Sequence, residues 1–397
     1  MDEIRYSLQK MPEAGDTVLV GMSGGVDSTL TALLLKERGC RVIGVTMSLW
    51  DGSVVEIKND TNRTKIREAC FGPGEVKNIA ECKKFCEEQG LEYHVIDCKD
   101  AYKQMVLEYY KEEYRSGRTP NPCVMCNKNV KFGAMLEGAA KLGIAFDYFC
   151  TGHYASVVRP EKGVFGSEER PYMISGATDV TKDQTYFLYR LPSELLAKVR
   201  FPLACMQKSE VFELARKANL QAANRAESMD FVGEEYRESL FKDRESIPGD
   251  IIDLDGKVLG RHRGIEFYTI GQRKGLGVAL NYPVYVHSID PVNNLVVLAK
   301  NEDLNSNGLI ADDFVWPAGI EPSGEIETFV KVRLASRPVM AKITPYEIPE
   351  DDKTPYKGKP WKIMFSEPQR AVAPGQSAVL YHNGVIIGGG LISGVIR

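Results

Sequence analysis

This chain of 397 residues predicts an α/β fold. An N-terminal doubly wound parallel sheet is expected, then a small β-rich central domain, then a C-terminal β-barrel. Three observations predict it. Strand-like and helix-like segments alternate through the first half. A glycine- and serine-rich octet, Gly21-Met22-Ser23-Gly24-Gly25-Val26-Asp27-Ser28, lies at a strand-to-helix junction. Beyond residue 250 the texture changes to short β-rich segments separated by Gly, Pro and Asn.

The elements follow in order. Asp16 to Met22 is a short apolar run bounded by turn residues, as a strand buried on both faces requires. Ser28 to Lys36 repeats apolar residues at helical spacing and stops near Gly39. Arg41 to Trp50 is the next strand, Val76 to Gln89 a helix, Leu91 to Asp97 a strand and Tyr102 to Tyr114 a helix. Ile144 to Thr151 ends in a strand-like Phe-Asp-Tyr-Phe-Cys, and a helix over Gln207 to Lys217 closes the domain. Short strands are expected at 251–260, 264–270, 283–290, 294–299, 326–334, 339–346, 361–365, 377–381 and 384–393. The implied domains are 1–225, 226–290 and 291–397. No internal repeat is present, and Lys353 to Lys359 reads as a mobile hairpin tip.

Hydrophobic content of 43% and charged content of 26% are those of an ordinary soluble protein. No apolar run has the length of a membrane helix, and residues 1–15 resemble neither a secretory signal nor an arginine-rich transit peptide. The expectation is a cytoplasmic protein with no membrane partner. The nine cysteines are odd in number and scattered, which suits reduced thiols rather than a disulfide framework. With a net charge of −4, any nucleic-acid contact must come from local patches. The candidates are Lys257, Arg261, Arg263, Arg273 and Lys274, and Lys331, Arg333 and Arg337.

The octet carries phosphate chemistry. Gly24 and Gly25 let backbone approach a phosphate, and the first amides of the following helix point at that anion. Ser23 and Ser28 add hydroxyl donors, and Asp27 is a candidate ligand for a magnesium ion bridging phosphate oxygens. The Walker loop is excluded, since it would end in Gly-Lys-Ser/Thr. A plain glycine turn capped by Asp27 or Ser28 is the bland alternative.

Arg118 to Phe132 is a second dense stretch. Two prolines fix its lead-in, and Cys123 and Cys126 are spaced so that both sulfurs can face one point. A helix expected to start at Asn127, with Lys128 and Lys131, should lower the Cys126 pKa. Half of a four-cysteine zinc knuckle is the alternative, but no second close CxxC exists; Cys82 and Cys86 are spaced along a helix. His153 follows a strand end at the same sheet edge and is either a core histidine or a phosphate or ribose contact.

With both motifs, the chain resembles the tRNA-specific 2-thiouridylase family. The shared strings are the Gly21–Ser28 loop, Met47, Thr119-Pro-Asn-Pro122 with Cys126-Asn-Lys, Thr151-Gly-His-Tyr-Ala155 and Lys182-Asp-Gln-Thr-Tyr-Phe-Leu188. Phe267-Tyr-Thr-Ile-Gly-Gln-Arg-Lys-Gly-Leu-Gly277 and Pro368-Gln-Arg-Ala-Val-Ala-Pro-Gly-Gln376 extend them over nearly the whole length. The resemblance implies a PP-loop, adenine nucleotide α-hydrolase-like fold that uses ATP and Mg2+ to thiolate the wobble uridine of a tRNA anticodon stem-loop. It implies ATP contacts from Gly21, Met22, Ser23, Gly24, Gly25, Val26, Asp27, Ser28, Met47 and Gly152. Contacts to tRNA would come from Asn121, Pro122, Cys123, Lys182, Asp183, Gln184, Arg333 and Leu334, although the family more often has an aromatic at the last position. Cys126 falls on the nucleophilic cysteine. An upstream sulfur carrier or cysteine desulfurase relay is the implied sulfur source.

The chain departs from that pattern in one respect. The commoner form has aspartate at 123 and a second cysteine where this chain has Asp230, within Glu227-Ser-Met-Asp-Phe-Val-Gly233. Aspartate cannot carry a persulfide, so two schemes are open. Either Cys123 and Cys126 share the carrying and resolving of a persulfide, or Cys123, Cys126 and Asp230 hold a four-iron four-sulfur cluster. Another PP-loop enzyme, such as an amide-forming ligase, and a non-catalytic RNA-binding protein are the competing functions.

Overall fold

The computed structural model describes residues 4–52, 69–224, 230–232 and 237–397. The chain divides into two compact units. The first comprises Met1–Val106, Cys123–Ser239 and Gly384–Ile386, the second Leu107–Pro122, Leu240–Asn383 and Ile387–Arg397.

The first unit holds a five-stranded sheet in the order Glu92–Asp97, Arg41–Ser48, Thr17–Gly21, Tyr148–Thr151, Val199–Arg200, with every pairing parallel. Val18, Leu19 and Val20 are fully buried, which explains the unbroken apolar run in the sequence. Helix Val26–Glu37 packs Val26 and Leu30 against Leu203, Val211 and Ala215, the last two on helix Lys208–Lys217. Strand order reverses between Thr17–Gly21 and Tyr148–Thr151, and ligands of doubly wound sheets lie at the carboxyl ends of such a pair. Beside this sheet in sequence, Tyr6–Leu8, Ser156–Pro160 and Met173–Ser175 pair antiparallel, and Ala69–Phe71 pairs in parallel with Asp230–Val232.

Two helical runs differ from expectation. The one expected at Tyr102 begins at Lys99 and widens to a π-helix over Lys103–Leu107 before Glu108–Arg115. The one expected at Asn127 begins at Pro122, where proline's fixed φ suits a first helical position, and passes through a π-helical stretch over Asn127–Ala134.

In the second unit, strands Val258–His262, Gly249–Ile252, Leu295–Ala299 and Tyr285–Asp290 form a small sheet whose central pair is parallel. The strand expected at 264–270 is instead a single tight turn, Ile265–Phe267, entered through Gly264 at φ 140°, which takes the chain out of extended geometry. Strands Asn305–Val315, Ile326–Lys331, Val339–Pro345, Trp361–Arg370, Ser377–His382 and the Val385–Ile396 strand from Ile387 on close into a six-stranded barrel. Trp361 is fully buried in it, with Trp316 packed edge-on at 5.1 Å. The Lys353–Lys359 loop is tied down rather than loose. Tyr356 donates to Asp352 at 2.7 Å, the Lys357 amide donates to Asp312 at 2.7 Å, and Lys359 pairs with Glu321 at 2.7 Å. Among the described residues no helix is long and apolar enough to cross a membrane.

Candidate active site

The octet leaves its strand as expected. The Met22 amide donates to the Val45 carbonyl at 2.8 Å, and Thr46 donates to the Met22 carbonyl at 3.0 Å, so the loop starts from a fixed point. Gly24 takes φ 79° and Gly25 caps helix Val26–Glu37. The Ser23 amide donates to Ser28 Oγ at 3.2 Å, and the two serine hydroxyls lie 3.3 Å apart. Hydroxyls and the first helical amides therefore converge on one small cradle, an anion site by construction. Met22 contributes only backbone there, because its side chain is buried with its sulfur 3.5 Å from Cys86. Cys82, bonded to Thr46 and the Gly24 backbone, is buried beside the loop, as is Cys86.

Gly152 closes the cradle from the neighbouring strand. A Cβ there would lie 2.7 Å from the Asp27 carbonyl carbon and 2.8 Å from the Ser28 nitrogen, both backbone atoms, so no larger residue fits. Met47 sits near the carboxyl end of Arg41–Ser48, opposite Ile96. Gly21–Ser28, Met47 and Gly152 thus share one sheet edge.

Asp27 has partners that sequence reading missed. Lys208 Nζ lies 2.7 and 2.8 Å from its two carboxylate oxygens, and the Tyr154 hydroxyl donates to one of them at 3.0 Å. Lys208 occupies the first position of its helix, where a cation is disfavoured by about 0.3–1 kcal/mol. That misplaced charge was the available signal. Lys208→Met keeps the aliphatic stem and removes the ammonium. Since a charged hydrogen bond contributes about 1.5–3 kcal/mol, pyrophosphate release from ATP should fall at least tenfold. Unchanged release would show that Tyr154 alone orients Asp27.

Cys123 and Cys126 lie three apart on one helix face, both free and partly exposed. The expected lowering of the Cys126 pKa is not found. Burial pushes it up to about 11, with Lys131 pulling the other way, and burial pushes Cys123 up to about 12. The reason is that burial outweighs Lys131, and the helix starts already at Pro122. Cys126 falls in the second turn, beyond the reach of the helix terminus. Below its pKa the thiolate fraction grows tenfold per pH unit. Alkylation of Cys126 by iodoacetamide, followed by peptide mass analysis, should therefore accelerate steadily from pH 7 toward 11. Lys131→Ala should slow it at every pH, and a flat profile would contradict the placement.

Lys131 also acts on His153, which burial and that ammonium hold well below its ordinary pKa. His153 Nδ1 lies 2.7 Å from Thr151 Oγ1, and its ring packs near Phe132 and Phe201. It is a neutral supporting group and brings no positive charge to a phosphate. The Lys131 charge therefore acts both on Cys126 and on His153, one residue after Gly152.

The remaining predicted residues vary. Asp183 accepts from the Thr185 hydroxyl and amide and from the Ala177 amide at 3.1 Å, and Gln184 Oε1 accepts from the Tyr154 amide at 3.0 Å. Both shape the segment that follows Lys182. Asn121 is buried, its amide directed at the Tyr109 hydroxyl at 3.4 Å, and Pro122 opens the cysteine helix. In the second unit Arg333 donates to the Ile270 carbonyl at 3.1 Å and Leu334 is exposed. Asp230 starts its short strand opposite Ala69, while its side chain and residues 225–229 and 233 lie outside the described positions. Among the described residues no three His, Cys, Asp or Glu side chains converge to hold a metal, and the Asp230 carboxylate, the third ligand of the expected cluster, is not among them.

Family models match the chain in three consecutive parts. These are a tRNA methyl transferase HUP domain over residues 16–233, a tRNA methyl transferase PRC-barrel domain over 237–300 and an aminomethyltransferase β-barrel domain over 306–392. The chain is 40% identical over 377 residues to a tRNA-specific 2-thiouridylase MnmA of Endomicrobium trichonymphae, covering 94% of this chain and 98% of that one. It is 40% identical over 382 residues to a protein of the same name from Carboxydothermus hydrogenoformans, covering 94% and 97%. To the MnmA 1 of Caldanaerobacter subterraneus subsp. tengcongensis it is 38% identical over 390 residues, covering 97% and 100%.

Proposed function

The chain belongs to the tRNA-specific 2-thiouridylase family, and from that premise we propose how its own residues divide the work. It is an ATP-dependent tRNA-uridine 2-sulfurtransferase that converts the wobble uridine to 2-thiouridine, AMP and pyrophosphate. The observation that carries the assignment of roles is the sheet edge at which Gly152 closes on Asp27 and Ser28 of the Gly21–Ser28 loop to form a phosphate cradle.

A uridine carbonyl is a poor electrophile. Transfer of AMP to its C2 oxygen turns that oxygen into a leaving group. The loop amides, Ser23 and Ser28 hold the phosphates, and Asp27, oriented by Lys208 and Tyr154, directs the charge balance as pyrophosphate departs. Asp27 would be the residue to hold a magnesium ion, since its Oδ2 accepts only Lys208 among the described residues and keeps a free lone pair; the ion would supply charge neutralisation to the phosphates. The base must leave the anticodon stack; in this reading Lys182, Asp183 and Gln184 of the first unit contact it, and Asn121, Pro122, Arg333 and Leu334 of the second are further contacts to tRNA. Domains 1–225, 226–290 and 291–397 remain the proposed division.

Sulfur arrives as a persulfide from an upstream sulfur carrier or cysteine desulfurase. The terminal sulfur of a Cys126 persulfide attacks C2, the C2–O bond breaks, and AMP leaves with the oxygen. Cys123 thiolate then attacks the Cys126 sulfur, releasing 2-thiouridine and leaving a Cys123–Cys126 disulfide that an external thiol reductant reopens. The thiol pair carries this reading because Cys123 and Cys126 stand one helical turn apart, as carrying and resolving a persulfide requires.

Unmodified tRNA, ATP, a persulfide donor and a thiol reductant should together give 2-thiouridine, read by mass analysis of digested tRNA. Pyrophosphate release only with an amine acceptor would indicate an amide-forming ligase. Tight tRNA binding without turnover would indicate a non-catalytic RNA-binding protein.

A further inference from the structure

Within the first unit, the phosphate loop and the Lys182–Gln184 segment are tied into one closed ring of hydrogen bonds. Asp27 of the loop accepts Lys208 Nζ at 2.7 and 2.8 Å and the Tyr154 hydroxyl at 3.0 Å. Lys208 leads on to Asp179, whose Oδ2 accepts the Lys208 amide at 2.9 Å. The other oxygen of Asp179 accepts the Thr181 hydroxyl at 2.6 Å and the Thr181 amide at 3.1 Å. Its carbonyl accepts the Lys182 amide at 3.1 Å. Tyr154 closes the ring from the opposite side. Its amide donates to Gln184 Oε1 at 3.0 Å, and its carbonyl accepts the Gln184 amide at 3.0 Å. The Asp27 carboxylate and the Lys182–Gln184 segment are thus joined twice. The ring has little slack, because Tyr154, Asp179 and Lys208 are only 2%, 6% and 8% exposed and water cannot readily replace a lost bond. Asp179 also sets a negative charge at the helix start, which offsets the ammonium that Lys208 brings there. A ligand that shifts the Lys182–Gln184 segment must therefore move the two partners of Asp27. A nucleotide that draws on Asp27 moves the segment in return.

We propose that Asp179 is a positioning residue that couples the two substrates, so that tRNA seated at Lys182–Gln184 tightens ATP in the Gly21–Ser28 cradle. By linkage, ATP tightens tRNA by the same factor. This deepens the thiolation reading and rests on it. Asp179 touches neither substrate and acts by holding Lys208 and the 181–184 segment in one arrangement. Whichever substrate binds first orders the ring, and the second then meets groups already placed. The coupling suits the chemistry, because ATP activated before the uridine arrives would react with water instead.

The test uses the full chain, Mg2+, unmodified tRNA and α,β-methylene ATP, which lacks the bond that the reaction cleaves. Nucleotide affinity is measured by calorimetry without tRNA and at saturating tRNA, and tRNA affinity is measured on the same samples. In the parent, tRNA should tighten the nucleotide at least about fivefold. Asp179→Asn keeps the size of the side chain and removes its charge, and the ratio should fall to within about twofold of unity. Thr181 is exposed, so its variants should fold, and they decide alone if Asp179→Asn does not. Thr181→Val should lower the ratio, and Thr181→Ser, which keeps the hydroxyl, should restore it. A merely structural role for Asp179 would weaken the nucleotide equally with and without tRNA, leaving the ratio at the parent's value. That result, or a parent that binds tRNA yet shows no tightening, would overturn the coupling alone. A parent that binds no tRNA would instead sink the thiolation reading.

Discussion

Cys126→Ala should bind tRNA within a few-fold of the parent and lose thiolation by at least about 10³-fold, the scale expected when a covalent nucleophile is removed. The side chain is small and half-buried, so truncation leaves a void of one sulfur and little else. Its loss removes the atom to which the transferred sulfur is bonded, and Cys123, one helical turn away with a pKa pushed up to about 12, is a poor substitute. AMP-forming activation should survive, because the cradle at Gly21–Ser28 is built without it. The informative measurement therefore pairs 2-thiouridine content with pyrophosphate release in the same reaction. Thiolation within a few-fold of the parent would exclude Cys126 as an essential group.

The second large effect is expected at Gly152→Ala. One methyl group would be forced to within 2.7 Å of the Asp27 carbonyl carbon and 2.8 Å of the Ser28 nitrogen. Backbone atoms cannot swing aside as a side-chain tip does, so the strand end and the helix start must part. Overpacking of this kind costs about 1–3 kcal/mol, and here the strain falls on the phosphate cradle itself. ATP should bind some 10- to 100-fold more weakly, measured by calorimetry. The stabilisation of melting temperature by saturating ATP should shrink with it. An unchanged ATP affinity would remove Gly152 from the nucleotide site.

The parallel sheet was legible because its strands are buried on both faces and so appear as unbroken apolar runs, as at Val18–Val20. The phosphate loop was legible because glycine and hydroxyl residues needed for anion binding are contiguous. What escaped depends on pairs far apart in the chain. Lys208 meets Asp27 across 181 residues, and nothing local announces it except an ill-placed charge. Ala69–Phe71 pairs with Asp230–Val232 across about 160 residues, a register no periodicity reveals. The Cys126 error came from placing the helix start five residues late, which credited the thiol with a terminus it does not touch. The 264–270 error came from reading apolar content as extended backbone across a glycine that turns the chain.

The ring of six strands in the second unit bears on how that half meets other molecules. A sheet with a bare rim invites a foreign strand to add itself through main-chain bonding. Closure leaves no such rim, so whatever docks there must be recognised by side chains and loops alone. Sticky self-association through strand addition is thereby denied to the same surface.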